Sequence, residues 1–289
     1  MKIRAPVERI EARRQSRVLV LAASNLELDL LPSLYDALRE MGRSERLDVL
    51  FYCRGGVVNA ARRIALLLHE FTDHLTLIVP DRCESSGTIV ALAAHQIVAG
   101  PVAVFSPVDP LLQASSPTSG EAPLAISAQD VRLFGEMARQ WFGIPGEEAP
   151  AAAMSALCEN IFPTTLTAFY RSCLETREIC LELRALASPS EDARNVEVVD
   201  RLIYGHHSHT FALRRDDLAA LGLPVRGDPS TEDSAWEIAR SIRESIGAAA
   251  RADLDDDWVD AIIATREGVR SRRRKPSGLA PAWDAGPVE

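Results

Sequence analysis

Two kinds of hydrophobic pattern alternate along the first 112 residues of the chain. Short apolar runs of the kind that form buried strands occur at 17–24, 46–53 and 74–80. Apolar residues at every third or fourth position, which are typical of amphipathic helices, occur at 30–42 and 57–71. A helix of small residues is expected at 87–96, followed by two short strands around Gly100 and Pro101. Because strands and helices alternate, the pattern predicts an α/β fold with right-handed crossovers.

After residue 112 the pattern changes to polar loops and helices. The Pro/Ser-rich stretch at 113–123 is expected to be a lid or a linker. Ser127 and Asp130 have the spacing of a cap for a helix that ends at about Trp141. Further helices are expected at about 162–186 and 195–204, before Gly222, and twice within 230–263. Little order is expected beyond Glu267.

These changes divide the chain into four parts. Residues 1–15 are interpreted as an N-terminal arm and residues 16–228 as the main domain. Residues 229–266 are interpreted as a C-terminal helical extension, and residues 267–289 as a basic, disordered tail.

Composition narrows the class of partner and the compartment. The chain has 289 residues and a formal net charge of −9, and an acidic surface disfavours binding to phosphates, so we expect no nucleic acid partner. The basic run at 270–275 is interpreted as part of a solvated arm. No apolar run reaches the roughly 20 residues of a membrane helix. Because the N-terminus is charged, unlike a signal peptide, we expect a cytoplasmic protein.

The cysteines and histidines indicate neither a disulfide framework nor a metal site. The five cysteines are odd in number and lack CxxC spacing, so reduced thiols are expected. The histidine-rich stretch at 206–209 has no carboxylate or cysteine at ligand spacing. We therefore predict no metal and no cofactor.

Two short motifs could each carry chemistry, although each also has a simpler explanation. In the segment CRGG at 53–56, two glycines between a strand and a helix allow the backbone to approach a ligand closely. A tight turn alone would explain them as well. In the segment CESSGT at 83–88, a serine lies at the start of a helix, where free N–H groups can hold an oxyanion. A plain N-cap is the simpler interpretation.

A third candidate combines two residues that are distant in the sequence. A serine nucleophile needs a base within hydrogen-bond reach and a group that orients this base. His209 is the candidate base and Asp109, between two prolines, is its candidate orienting group. His207 and His95 are alternative bases. A turn residue and a packed or surface histidine are the simpler interpretations of Asp109 and His209.

Together, these motifs resemble one family. A strand, two glycines and a helix are followed by a strand, S-x-G-T and a helix, and then by G-P-V and V-D-P. This order is similar to that of the serine dehydrogenase proteinase family of the Clp protease/crotonase superfamily, which is related to signal peptide peptidase A. The resemblance covers about 46–112, and it resumes more weakly at about 160–225.

The resemblance implies a fold, a site and an assembly. It implies a Clp protease/crotonase-like layered fold of repeated β-β-α units with added C-terminal helices. It also implies that Ser85 is the nucleophile, and that the N–H of Ser86, together with that of Gly56 or Gly55, forms an oxyanion hole. A homo-oligomer built from trimers or hexamers, acting on peptides or unfolded protein without a cofactor, follows from the same resemblance.

The chain departs from the family pattern at several positions. A Ser-Lys dyad is not expected, because Lys2 and Lys275 are the only lysines and both lie near the termini. Arg54 stands where the family has proline, and Glu84 where it has a small or apolar residue. In the Clp protease subunit the histidine and aspartate are exchanged relative to Asp109 and His209.

Three functions remain open from the sequence. The first is a serine endopeptidase that works through an acyl-enzyme on Ser85. The second is a catalytically silent assembly or interaction module of the same fold. The third is an acyl-thioester enzyme of crotonase type, with Asp109 or Glu84 as acid/base.

Overall fold

The computed structural model describes residues 2–109, 111–114, 124–146, 148–247, 253, 255–276 and 281–288. Among them, the strands are β1 (Arg17–Ala23), β2 (Ser44–Cys53), β3 (Thr72–Val79), β4 (Arg82–Cys83), β5 (Gln96–Ala99), β6 (Val104–Phe105), β7 (Leu111–Ala114), β8 (Leu124–Ser127), β9 (Val225–Arg226), β10 (Trp258–Ala264), β11 (Val269–Arg274) and β12 (Ala282–Gly286). The helices are α1 (Arg4–Arg14), α2 (Leu30–Met41), α3 (Val58–Glu70), α4 (Ser86–Leu92), α5 (Ala128–Phe142), α6 (Ala149–Asn160), α7 (Pro163–Ala187), α8 (Asp192–Tyr204), α9 (Arg215–Leu221) and α10 (Pro229–Ser245).

One large sheet forms the centre of the protein. Its strand order is β12-β11-β10-β1-β2-β3-β5-β9. The strands from β1 to β9 in this order pair in parallel, whereas β10, β11 and β12 add an antiparallel edge beside β1. The short strands β4 and β6 pair with each other, and β4 also pairs with the end of β2. This arrangement confirms the predicted α/β class and the layered fold of β-β-α units.

Alternate residues of the strands pack against two different layers of helices. In β1, Leu19 and Leu21 point into a core formed with α2, α3, α4, α7 and α8. Val18 and Val20 point into the opposite core, which is formed with α1 and α10. The period of two along a strand separates the two sets. Because both faces are covered, the strands are nearly continuous apolar runs, as the sequence showed.

The structure corrects the interpretation of both ends of the chain. Residues 1–15 were expected to be an arm, but α1 packs on the sheet through buried Val7 and Ile10. The expected second helix within 230–263 is instead strand β10, and the expected disordered tail contains β11 and β12. These strands bury apolar residues of β10 against β1, which accounts for their order.

Other predicted elements between β1 and α10 are confirmed to within a few residues. Ser127 caps α5 as expected, because its hydroxyl accepts the N–H groups of Gln129 and Asp130. The helix α6 was not predicted from the sequence. Most of the proposed lid or linker at 113–123 lies outside the described residues. The division into four domains otherwise remains a prediction.

Candidate active site

Ser85 lies in a tight turn between strand β4 and helix α4. Its backbone has φ 53° and ψ −115°, and Ser85 and Gln15 are the non-glycine residues with positive φ in the described part of the chain. Such a conformation costs on the order of 1–3 kcal/mol and is concentrated at functional sites. The residue is half-buried, so its hydroxyl is not enclosed in the core. A strained strand-to-helix turn of this kind presents the side chain outward.

The turn at Ser85 is held in place by two neighbouring hydroxyl groups. The N–H of Ser85 donates to Oγ of Ser106 at 2.7 Å. Oγ1 of Thr88 lies 3.0 Å from the carbonyl oxygen of Cys83 and 2.9 Å from that of Ser106, so it can donate to either. These contacts join β4, α4 and the segment after β6. The role of Ser106 was not found in the sequence, because it depends on a contact between segments 21 residues apart.

The second bend of the site is formed by two consecutive glycines after β2. Gly55 and Gly56 both have φ 136°, a conformation that other residues rarely adopt. A Cβ atom on Gly56 would overlap the backbone of Leu26. The N–H of Leu26 donates to the carbonyl of Gly55 at 2.8 Å, and the N–H of Val57 donates to the carbonyl of Leu26 at 2.8 Å. The loop after β1 therefore fixes the glycine bend.

The two bends meet at the side chain of Ser85. A Cβ atom placed on Gly55 would lie 3.6 Å from Cβ and 3.9 Å from Oγ of Ser85. In the described part of the chain, the N–H groups of Gly56 and Ser86 donate to no protein group. The N–H of Gly55 instead donates to Sγ of Cys53 at 3.3 Å. Of the three candidate donors, Gly56 and Ser86 are thus the two that are available to a ligand beside Ser85.

Cys53 lies buried beside both bends, and its thiol is not available as a nucleophile. Its side chain is buried, and burial raises the pKa of the thiol to about 12, against the opposing hydrogen bond from Gly55. A Cβ atom on Gly87 would lie 3.1 Å from Cβ of Cys53. A residue larger than glycine at position 87 would therefore crowd the side chains of Cys53 and Phe51 in β2.

Glu84 and Arg54, the two residues beside the bends that depart from the family pattern, have different environments. The carboxylate of Glu84 forms an ion pair with Arg82 at 3.1 Å, so its charge is partly compensated. Arg54 is exposed, and none of the described residues forms a hydrogen bond or an ion pair with it. A free guanidinium at position 54 leaves a positive charge at the entrance of the glycine bend.

Asp109 is buried, and the imidazole of His209 is among the groups that influence its pKa. Its carboxylate accepts a hydrogen bond from Oγ of Ser127, which in turn accepts the N–H of Gln129 at 2.9 Å. Burial raises the pKa of Asp109, while the hydrogen bond from Ser127 and the nearby imidazole of His209 oppose this shift. Nδ1 of His209 is buried without a partner among the described residues.

The hydroxyl of Ser85 does not form a hydrogen bond with any side chain of the described residues. In the described residues, no hydrogen bond joins Ser85, Asp109 and His209 to one another. His207 is exposed. His95 lies beyond the far end of α4, where its Nδ1 accepts the N–H of Leu75 at 3.0 Å.

A cavity of about 420 Å³ lies beside Asp109. Its walls are mostly apolar and come from α5, α7 and α8, with Phe169 and Tyr204 among the larger residues. Gln129 and Arg132 are polar residues at its wall. The cavity has the size and lining of a site for an apolar side chain.

A serine on a strained strand-to-helix turn, beside two unoccupied backbone N–H groups, has the arrangement used by serine hydrolases. Residues 5–122 match the family described as ClpP-like SDH-type serine proteinase. This match includes both bends and Asp109, and it confirms the resemblance to the serine dehydrogenase proteinase family that the sequence indicated.

Two relatives from Methanocaldococcus jannaschii, each named as an uncharacterized protein, share sequence with the chain. One is 38% identical over 76 residues, which is 26% of this chain and 27% of the relative. The other is 39% identical over 64 residues, which is 22% of each. The chain thus matches about a quarter of the length of these curated relatives.

Several solved structures are similar at low identity. A mutant of the 1510-N membrane-bound stomatin-specific protease is 14% identical with a TM-score of 0.44, covering 80% of this chain and 86% of that one. A ClpP1 mutant from Listeria monocytogenes is 12% identical with a TM-score of 0.40, covering 77% and 98%. An enoyl-CoA hydratase from Streptomyces coelicolor is 14% identical with a TM-score of 0.36, covering 80% and 71%.

None of the helices in the described residues combines the length and the hydrophobicity needed to cross a bilayer. No group of three or more His, Cys, Asp or Glu residues in the described ranges is arranged to hold a metal ion.

Proposed function

We propose that this protein is a serine endopeptidase that cleaves peptides or unfolded protein through an acyl-enzyme on Ser85. The proposal rests mainly on the contact between the turn at Ser85 and the glycine bend at 55–56. Gly55 packs against Ser85, and the unoccupied N–H groups of Gly56 and Ser86 lie next to it. The family match over residues 5–122 supports the same reaction class.

The proposed reaction begins when Oγ of Ser85 attacks the carbonyl carbon of a peptide bond and its proton passes to a base. The negative charge that develops on the carbonyl oxygen is stabilised by the N–H groups of Gly56 and Ser86. One such donor contributes a factor of about 10²–10³ in kcat in a serine protease. The amine leaves with a proton, and water then hydrolyses the ester on Ser85.

We assign the role of general base to His209. We assign to Asp109 the role of orienting the imidazole of His209. The support for this pair is the buried carboxylate of Asp109, the influence of the His209 imidazole on its pKa, and the buried Nδ1 of His209 that lacks a partner in the described residues. In the proposed reaction, substrate binding brings the imidazole to Ser85, since hydrogen bonds of catalytic groups often tighten only in the bound complex.

The cavity beside Asp109 supports a preference for apolar side chains in the substrate. Its apolar lining favours burial of a side chain the size of leucine or phenylalanine, for which removal from water contributes roughly 1.5–3 kcal/mol. Apolar side chains of this kind are exposed in unfolded protein and hidden in folded protein. The lining therefore favours an unfolded substrate over a native one.

We further propose that the protein forms a homo-oligomer of trimers or hexamers and acts in the cytoplasm. The support for assembly is a set of large apolar side chains that are exposed on and next to α5, α6 and α7: Trp141, Phe142, Met154, Phe162 and Tyr170. Where exposed apolar side chains form one contiguous patch, they mark a contact site.

Labelling with a fluorophosphonate probe tests the proposal. We expect one adduct on Ser85, no adduct in Ser85→Ala, and normal labelling in the control Ser190→Ala, which changes an exposed turn serine. A folded protein that takes up no probe would contradict the proposal and favour the silent assembly module. Coenzyme A that co-purifies with an unlabelled protein would favour the acyl-thioester enzyme.

A further inference from the structure

Residues 270–274 of the basic run lie in strand β11, and one of its arginines is completely buried. Arg272 has 0% exposure, whereas the next residue, Arg273, is exposed and pairs with Asp284 at the surface. An arginine is almost never fully buried unless its charge is compensated. The position of Arg272 in the interior therefore needs an explanation.

Three carboxylates surround the guanidinium of Arg272. Its Nε and Nη2 each donate to a different oxygen of Asp260 at 2.8 Å. Its Nη1 donates to Glu27 at 3.0 Å and also contacts Asp29. Arg274 also pairs with Asp260 and Glu27. The two-pronged contact with Asp260 needs the planar fork of an arginine, which lysine does not have.

This ion cluster is connected to the glycine bend by one short loop. Glu27 directly follows Leu26, whose N–H and carbonyl hold Gly55 and Val57, and Asp29 comes two residues after Glu27. At the other end of the loop, the N–H of Ser24 donates to the carbonyl of Asp260 at 2.8 Å. The loop at 24–29 is therefore fixed by β10 and β11 on one side, and it fixes the glycine bend on the other.

We propose that Arg272 is a positioning residue that sets the oxyanion-binding bend through the loop at 24–29. The inference rests on the proposed function, because it assigns Arg272 to the same site. The bend has two glycines at a φ of 136°, so its geometry depends on the contacts that hold it. Without the cluster, the loop loses its anchor and the N–H of Gly56 loses its fixed direction. Loss of direction weakens binding of the transition state more than binding of the substrate.

The test combines a structural readout with kinetics, using the variants Arg272→Lys and Glu27→Gln. Glu27 is only partly buried, so its variant is the one expected to fold if Arg272→Lys does not. The control is Arg273→Lys, on the same strand but exposed. We expect hydrogen exchange at the amides of Leu26 and Val57 to become at least tenfold faster in both variants. Exchange in the middle of α7 should not change.

The kinetic readout is peptide cleavage and the rate of fluorophosphonate labelling. We expect kcat and the labelling rate to fall at least tenfold in Arg272→Lys, with KM changed less than threefold, and no change in Arg273→Lys. Unchanged exchange at Leu26 and Val57 together with unchanged kcat would overturn the proposal. If the wild-type protein is unreactive, the proposed function fails. In that case, faster exchange at Leu26 and Val57 in the variants would still support the connection between Arg272 and the glycine bend. Unchanged exchange would refute this connection.

Discussion

The N–H of Ser85 is 2.7 Å from Oγ of Ser106, the hydroxyl to which it donates. This bond occupies the amide of Ser85 itself and leaves the amide of the next residue, Ser86, as the unoccupied donor at the start of α4. A single serine on a neighbouring segment thus decides which backbone group is available to a ligand.

Replacing Ser106 by alanine should damage the turn without removing the nucleophile. We expect Ser106→Ala to lower the free energy of unfolding by about 1–2 kcal/mol, because the N–H of Ser85 loses its acceptor. The labelling rate with fluorophosphonate should fall but not vanish. Urea unfolding and labelling kinetics measure the two effects. Ser245→Ala, which removes a hydroxyl from the end of α10, is the control; equal behaviour of the two variants would show that Ser106 has no role in the turn.

Adding one methyl group at Gly56 should abolish activity. In Gly56→Ala the new Cβ would overlap the backbone of Leu26, so the bend must move. Gly42→Ala is a matched control, since Gly42 also has a positive φ (75°) but has no atom within 4 Å of the added Cβ. The control should cost about 1–3 kcal/mol of stability and retain cleavage. A Gly56→Ala protein that cleaves peptide at the wild-type rate would rule out an oxyanion hole at this bend.

Stability should decrease as the pH falls below about 6.5, because of a histidine cluster next to α4. His95 stacks on His74 with ring centroids 5.0 Å apart, and lies 5.3 Å from His69. Burial, and then His69 and His74, lower the pKa of His95 below 6.5. The folded state therefore binds a proton less readily than the unfolded chain. Stability is complete above the unfolded pKa and declines as the pH falls toward the folded pKa.

The variant His95→Asn tests the source of this pH dependence. Asparagine can still accept the N–H of Leu75, but it does not titrate. We expect a weaker loss of unfolding free energy between pH 7 and 5 than in the wild type, measured by chemical denaturation at each pH. His207→Asn changes an exposed histidine and should leave the wild-type pH profile intact. The same profile in His95→Asn as in the wild type would refute the assignment.

The molar mass in solution should be a multiple of three protomers. Light scattering at micromolar concentration measures this mass. A charge in the exposed apolar set, as in Phe162→Asp, should lower the mass, because a carboxylate is not readily buried in an interface. Val102→Asp, at another exposed apolar position, is the control. A monomeric wild-type protein would contradict the assembly.

The sequence was sufficient for features that depend on neighbouring residues. The turn at Ser85 and the bend at Gly56 were predicted because serine, glycine and the flanking apolar runs are adjacent in the chain. Ser127 was identified as a cap for the same reason. The contact between the two bends required the resemblance to a family, since nothing local indicates that segments 30 residues apart meet.

The features that were missed depend on distant contacts. The acceptor role of Ser106 and the pairing of Arg272 with Asp260 connect separate segments. Strand β11 was interpreted as a disordered tail because it contains arginine at a buried position, where apolar residues are usual. Helix α1 was missed because charged residues dominate its sequence, although Ile3, Val7 and Ile10 have helical spacing.

The pairing of β10 with β1, which extends the sheet to β11 and β12, has a consequence for folding during synthesis. On the ribosome, β1 is made more than 200 residues before its antiparallel neighbour β10, and until then one of its edges has no partner. Domains begin to fold while the chain is still growing. The cluster that holds the glycine bend can therefore form only after β10 and β11 have been synthesised. Until then, the growing chain lacks the ion pairs that anchor the loop at 24–29.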